Sequence, residues 1–221
     1  MSVVTVRARE VTIPVETGAV LPGHLSLPDA PRGVVVFAHG SGSSRLSPRN
    51  VEVAGLLRRA GFATLLFDLL SEDEALNRTN VFDIPLLAHR LGLATHWLRT
   101  QPQTAALPVG YFGASTGAAA ALVAAADALQ DVKAVVSRGG RPDLAEPRLQ
   151  LVHAPTLLIV GGADEAVLEL NRTALADLVS CEHELAVVPG ATHLFEEPGA
   201  LEHVAALATA WFRRYLTPVE R

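Results

Sequence analysis

The stretch GVVVFAHG, from Gly33 to Gly40, is an unbroken apolar run rich in β-branched residues. A strand with one wet face alternates apolar and polar side chains; a strand without polar positions has to be covered on both faces. FATLLFDLL (Phe62–Leu70), LPVGYFGAS (Leu107–Ser115), VKAVVSRGG (Val132–Gly140), APTLLIVGGAD (Ala154–Asp164) and HELAVVPG (His183–Gly190) also read as strands, and segments at helical spacing stand between them. Parallel neighbours require crossover helices, so this alternation predicts an α/β fold: a mostly parallel sheet covered on both faces.

The remaining segments fit around that sheet. Val3 to Val15 alternates polar and apolar residues, TGAV interrupts it and PGHLSLP resumes it, which predicts an N-terminal antiparallel hairpin. Ser47 and Pro48 are suited to the N-cap and first position of a helix ending at Gly61. Within VFDIPLLAHRLGLATHWLRTQ, residues Phe82, Leu86 or Leu87, Leu91, Ala94 and Leu98 share one helical face. Further helices are expected over Thr116–Leu129, Thr173–Ser180 and Leu201–Tyr215, while the acidic Ser71–Ala75 reads as a solvated loop. With 221 residues, no repeat and no charge-rich linker, one domain over residues 1–221 is expected.

Composition narrows the partners. A net charge of −5 without any Lys/Arg cluster argues against unassisted nucleic-acid binding. The N-terminal residues lack a basic segment followed by an apolar core, and no stretch reads as a membrane span, so a cytoplasmic protein is expected. The one cysteine, Cys181, excludes an intramolecular disulfide. No His, Cys or Asp set has metal-ligand spacing, and neither a dinucleotide glycine loop nor a Gly-Lys-Ser/Thr follows a strand, so no metal and no cofactor are expected. The last helix is expected to bury Trp211, Phe212 and Leu216 in its own core, leaving monomer or homodimer open.

In a doubly wound sheet, functional groups gather beyond the carboxyl ends of the strands. Four such ends carry glycine or polar residues: His39-Gly40-Ser41-Gly42-Ser43-Ser44, Gly113-Ala114-Ser115-Thr116-Gly117, Gly161-Gly162-Ala163-Asp164, and the loop holding His193. Serine, acid and histidine thus fall on one sheet edge, in that chain order. A serine hydroxyl near neutral pH needs a base to take its proton; His193 is suited to that, and Asp164 to fixing the imidazole tautomer. Gly113 and Gly117 allow a sharp strand-to-helix turn with Ser115 at its tip. The backbone N–H groups of Thr116 and Ser41 are candidates to bind an oxyanion. Asp68 and Asp143 compete with Asp164, Asp68 being better suited to bracing a loop. Arg138 and Arg141 are placed either to attract an anionic group or to pair with Asp143 and Glu146.

GASTG, HGSGSS, IVGGAD and PGATHLF together resemble the α/β-hydrolase superfamily, in particular its dienelactone-hydrolase-like branch of small serine esterases, over roughly Val34 to Leu216. The resemblance implies about eight strands, Ser115 as nucleophile, Asp164 as acid and His193 as base. It implies hydrolysis of a small carboxylic ester, with thioester or lactone hydrolysis, or a non-catalytic ligand-binding role, as alternatives. Gly40, Gly42, Arg45 and Arg138 are candidates for substrate contact. Dienelactone hydrolases proper carry cysteine at the nucleophile position; here it is Ser115, and Cys181 lies outside every motif. The segment between Ser137 and Thr156 is too short for a helical cap domain, which predicts an open, shallow pocket.

Overall fold

The computed structural model describes residues 5–16 and 18–216. Its strands are β1 (Val6–Pro14), β2 (Val20–Pro28), β3 (Val34–Ala38), β4 (Ala63–Phe67), β5 (Val109–Ala114), β6 (Val132–Arg138), β7 (Thr156–Gly161) and β8 (His183–Val188). They form one sheet in the order β1-β2-β4-β3-β5-β6-β7-β8. Pairing is antiparallel between β1 and β2 and between β2 and β4, and parallel from β4 to β8. The half-polar N-terminal strands take the edge, and the unbroken apolar runs take the centre. Val3 and Val4, expected in the first strand, and Thr17 lie outside the described residues.

The period-2 alternation within each buried run assigns its side chains to two cores. Val34, Val36, Tyr111, Val135 and Leu158 pack with α4 (Ile84–Thr100) and α5 (Thr116–Ala125) on one face. Val35, Phe37, Phe112, Val136 and Ile159 pack with α1 (Pro48–Arg59) and α7 (Ala200–Tyr215) on the other. Trp211, Phe212 and Leu216 lie in this second core, as expected. Among the described residues, no helix is long and apolar enough to cross a membrane.

β3 pairs with β4 on one side and with β5 on the other, so the chain leaves the carboxyl ends of β3 and β5 in diverging directions. This is the switch point of the sheet, and the two loops beside it are His39–Ser44 and the β5–α5 joint.

Several local expectations shift. Phe82 precedes α4 and is 47% exposed, because Asp83 caps the helix by accepting from the Leu86 N–H at 3.0 Å. Leu87 is buried in the core, and Leu86 packs half-buried against it. α5 ends at Ala125, and Leu129 sits 91% exposed on the 3-10 turn that follows. The helix expected at Thr173–Ser180 instead begins right after Asp164, as α6 (Glu165–Leu175). The acidic loop is helical: α2 (Glu72–Leu76) starts in a capping box between Ser71 and Glu74, and α3 (Arg78–Val81) follows it. Between β6 and β7 only two 3-10 turns intervene, Pro142–Ala145 and Arg148–Leu151, and no cap domain.

Candidate active site

The joint between β5 and α5 is tighter than a strand-to-helix turn has to be. A Cβ added to Gly113 would lie 2.4 Å from Ala118 Cα, and one added to Gly117 would lie 2.2 Å from Ala38 O. These glycines therefore let α5 close onto β5 and onto the end of β3. The strained residue is Ser115 itself, with φ 52° and ψ −121°, a conformation rare for any side-chain-bearing residue. Its backbone is tied at both ends: its N–H donates to Arg138 O at 3.2 Å, and its carbonyl accepts from the Arg141 N–H at 3.2 Å. The exit loop of β6 thus holds Ser115 at the tip of the turn. The alanines of α5 keep the helix slim enough to fit against both strands.

Asp164 and His193 are brought together by β7 and the loop after β8. The His193 Nδ1–H donates to Asp164 Oδ2 at 2.7 Å, since a carboxylate can only accept, and this leaves Nε2 with its lone pair. Asp164 heads α6 without capping it through its side chain, so the carboxylate is free for the imidazole. Ser115 makes no hydrogen bond to His193 in this structure, but the two are neighbours across the β6 loop. The carbonyl bonded to Ser115 belongs to Arg138, and a Cβ built on the next residue, Gly139, would lie 3.5 Å from His193 Cε1 and Nδ1. Such contacts are commonly loose without substrate.

The loop after β3 completes the edge. Gly40 lies so close that a Cβ there would be 3.1 Å from Ser115 Cβ. His39 organises this loop through both ring nitrogens. Its Nε2 accepts from the Leu69 N–H at 3.1 Å, which places the proton on Nδ1, and Nδ1–H donates to Gly40 O at 3.0 Å. Burial pushes the His39 imidazole below its ordinary pKa and keeps it neutral, as these two bonds require. The Ser41 N–H, on the same peptide unit as Gly40 O, donates to Thr116 Oγ1 at 2.8 Å. The Thr116 N–H, at the start of α5, has no acceptor among the described residues. No sequence expectation covers the anchoring role of His39; its position directly after a buried strand and before Gly40 is the signal that marks it.

Arg45 and Arg138 differ in their surroundings. Arg45 is bound to Asp68 twice, through its backbone N–H at 2.7 Å and through its guanidinium, so Asp68 braces the loop as expected and neutralises that charge. Arg138 is 7% exposed, with Nε and Nη1 unpartnered and the guanidinium 5.8 Å from the Phe195 ring centre. Burial, and then Arg49 nearby, lower its pKa to about 10. Arg141 forms a two-pronged pair with Asp143, at 2.9 and 2.7 Å. A cavity of about 310 Å³ opens beside the His39–Arg45 loop, walled on its far side by Leu70, Ala75, Val81 and Leu87. The helices α2 and α3 therefore border it; Arg90, buried on α4, anchors them by donating to Glu74 at 2.6 Å. A larger cavity of about 730 Å³, between α4 and the end of α5, is lined by none of Ser115, Asp164 or His193. Among the described residues no cluster of His, Cys, Asp or Glu could hold a metal ion.

With this geometry the chain is similar to several known proteins. A crystal structure of dienelactone hydrolase from Anabaena variabilis superposes with a TM-score of 0.91 at 54% identity, covering 96% of this chain and 99% of that one. Est1E from Butyrivibrio proteoclasticus shares the fold, with a TM-score of 0.78 at 17% identity over 93% and 98% of the two chains. Two Mycobacterium tuberculosis proteins, provisionally named phosphoribosyl transferases, are 65% identical over 209 residues, 94% of this chain and 47% of each of theirs. The chain thus spans about half the length of those curated relatives. Residues 21–217 match the model of the dienelactone hydrolase family, and together with the close likeness to the Anabaena enzyme this shows that the chain belongs to that family of α/β hydrolases.

Proposed function

We propose that this chain is a cofactor-free serine hydrolase of small carboxylic esters, working through an acyl-enzyme on Ser115. The observation that carries this reading is the strained Ser115 at the start of α5, on the same sheet edge as the His193–Asp164 pair at 2.7 Å. In the first step Ser115 Oγ bonds to the carbonyl carbon, the carbonyl π pair moves to oxygen, and the hydroxyl proton passes to His193 Nε2. The candidate donors to the oxyanion are the Thr116 N–H and the Ser41 N–H, the latter donating to Thr116 Oγ1 in this structure. Collapse breaks the bond to the alcohol oxygen, which takes the proton from His193. Water then repeats the sequence against the acyl-enzyme, releasing the acid and restoring Ser115.

Gly40 and Gly42 supply close backbone approach to the substrate, and the cavity beside their loop receives one of its two portions. Arg138 supplies positive potential near Ser115, whereas the charge of Arg45 is already met by Asp68. A thioester or lactone fits the same acyl transfer, and the name of the Anabaena relative favours including lactones. The name of the mycobacterial relatives refers to proteins about twice as long as this chain. We place the protein in the cytoplasm, as a monomer or homodimer without nucleic-acid or membrane partners. Ser115→Ala is expected to abolish hydrolysis of p-nitrophenyl acetate and labelling by a fluorophosphonate while leaving thermal stability close to wild type; an active Ser115→Ala protein would refute the assignment.

A further inference from the structure

We infer that the Thr116 hydroxyl is itself a donor to the oxyanion, and that the Ser41 N–H acts through it. This rests on the acyl-transfer reading above. The Ser41 N–H is already engaged: it points at Thr116 Oγ1 from 2.8 Å. The same peptide unit is fixed from its other end, where His39 Nδ1–H donates to Gly40 O while His39 Nε2 is held by the Leu69 N–H. Turning the Ser41 N–H toward another acceptor would break the bond at Gly40 as well.

The hydroxyl has one hydrogen and two lone pairs. One lone pair takes the Ser41 N–H, and among the described residues the hydrogen has no acceptor. Thr116 is 5% exposed, so little of the residue meets bulk water. Its own N–H, at the first position of α5, also lacks an acceptor. The residue next to Ser115 therefore offers two free donors, N–H and Oγ–H, beside the reacting serine. A hydroxyl that already accepts a hydrogen bond is a stronger donor, because each bond in a chain polarises the next. The chain runs Ser41 N–H to Thr116 Oγ–H to the oxyanion. β-branching limits the rotamers of Thr116, so little reorganisation accompanies the reaction.

Two substitutions separate this role from that of a bolt that only positions the loop. Thr116→Val keeps the shape and removes the hydroxyl; Thr116→Ser keeps the hydroxyl. For p-nitrophenyl acetate, kcat/KM is expected to fall about 10²-fold in Thr116→Val. The affinity for phenylboronic acid, whose adduct on Ser115 carries a tetrahedral anion, is expected to fall by a similar factor. Binding of acetamide, a ground-state mimic, should change by less than about threefold, and Thr116→Ser should recover at least about tenfold of the lost rate. A Thr116→Val protein as fast as wild type, or faster, would overturn the inference, because the released Ser41 N–H would then be the direct donor. So would a loss shared equally by boronate and acetamide with a lowered Tm, the pattern of a loosened loop. Ser115→Ala measured alongside keeps the two ideas apart: if it is inactive while Thr116→Val is fully active, only the role of Thr116 falls; if it is active, the hydrolase reading falls first.

Discussion

Gly117→Ala adds one methyl group at the point where α5 meets β3, and the structure fixes what that methyl meets. The new Cβ would sit 2.2 Å from Ala38 O and 2.4 Å from His39 O, whereas Cβ atoms essentially never come within 3.0 Å of another atom. Helix and strand must separate by at least about 0.8 Å, the difference between 3.0 and 2.2 Å. The obstacle is backbone, so no side-chain rotation relieves it, and β3 is locked to β5 through Phe37–Phe112 and Ala38–Gly113. The displacement therefore falls on the start of α5, which carries Ser115 and Thr116. Overpacking of this kind costs about 1–3 kcal/mol. For a protein of this size that is roughly 2–12 °C in Tm. A catalytic group misplaced by close to 1 Å loses on the order of 10²-fold in rate. The control is Gly55→Ala, inside α1, where the nearest atoms to a new Cβ are flexible arginine tips at 3.6 and 3.8 Å. There the same methyl favours the helix by about 0.5–1 kcal/mol. Thermal melts and p-nitrophenyl acetate kinetics of both variants read the result. A Gly117→Ala protein that melts and turns over like wild type would refute the claim that close approach at this turn sets the position of the serine.

Further outcomes follow from two buried titratable groups, His39 and Arg138. His39 is held neutral with its pKa lowered by burial, so its contribution to stability is complete above the unfolded value of about 6.5 and is lost as pH falls below that toward the folded value. His39→Gln, which does not titrate, is expected to lose less stability than wild type between about pH 6.5 and 5; parallel losses in chemical denaturation would show that His39 is not the group responsible. Arg138→Met removes a buried cation with no carboxylate partner among the described residues and is expected to melt at or above the wild-type Tm. The same variant should raise KM about tenfold for an ester bearing a carboxylate and not for a neutral ester; an equal effect on both would remove Arg138 from substrate recognition.

Much of this was legible in the residues because it depends on patterns along the chain. An apolar run without polar breaks, such as VVVFA in β3, has only one comfortable place, the middle of a covered sheet, and the half-polar N-terminal strands are left to the edge. The chain order of Ser115, Asp164 and His193 and their glycine-rich surroundings are likewise local signals. Short helices were less legible. α2 depends on a capping box between Ser71 and Glu74 and on the reach of Arg90 from α4, so the acidic segment looked like a solvated loop. The start of α6 is set by Asp164 leaving β7 rather than by a capping side chain, so no local signal in the sequence marks it. Phe82 has an apolar side chain but was excluded from the core when Asp83 began the helix one residue later.

By itself, the sequence determined the layered α/β architecture and the sheet edge on which Ser115, Asp164 and His193 stand, because hydrophobic period and strand-end loops follow from covalent order. The tertiary structure decided which groups meet. It placed Asp164 2.7 Å from His193, gave Arg45 to Asp68 and left Arg138 Nε and Nη1 without a hydrogen-bond partner among the described residues. It also set the Ser41 N–H on the Thr116 hydroxyl, joining residues 75 positions apart in the chain. Hydrogen bonds act over about 3 Å, and only the packing of strands and helices brings such distant residues within that range.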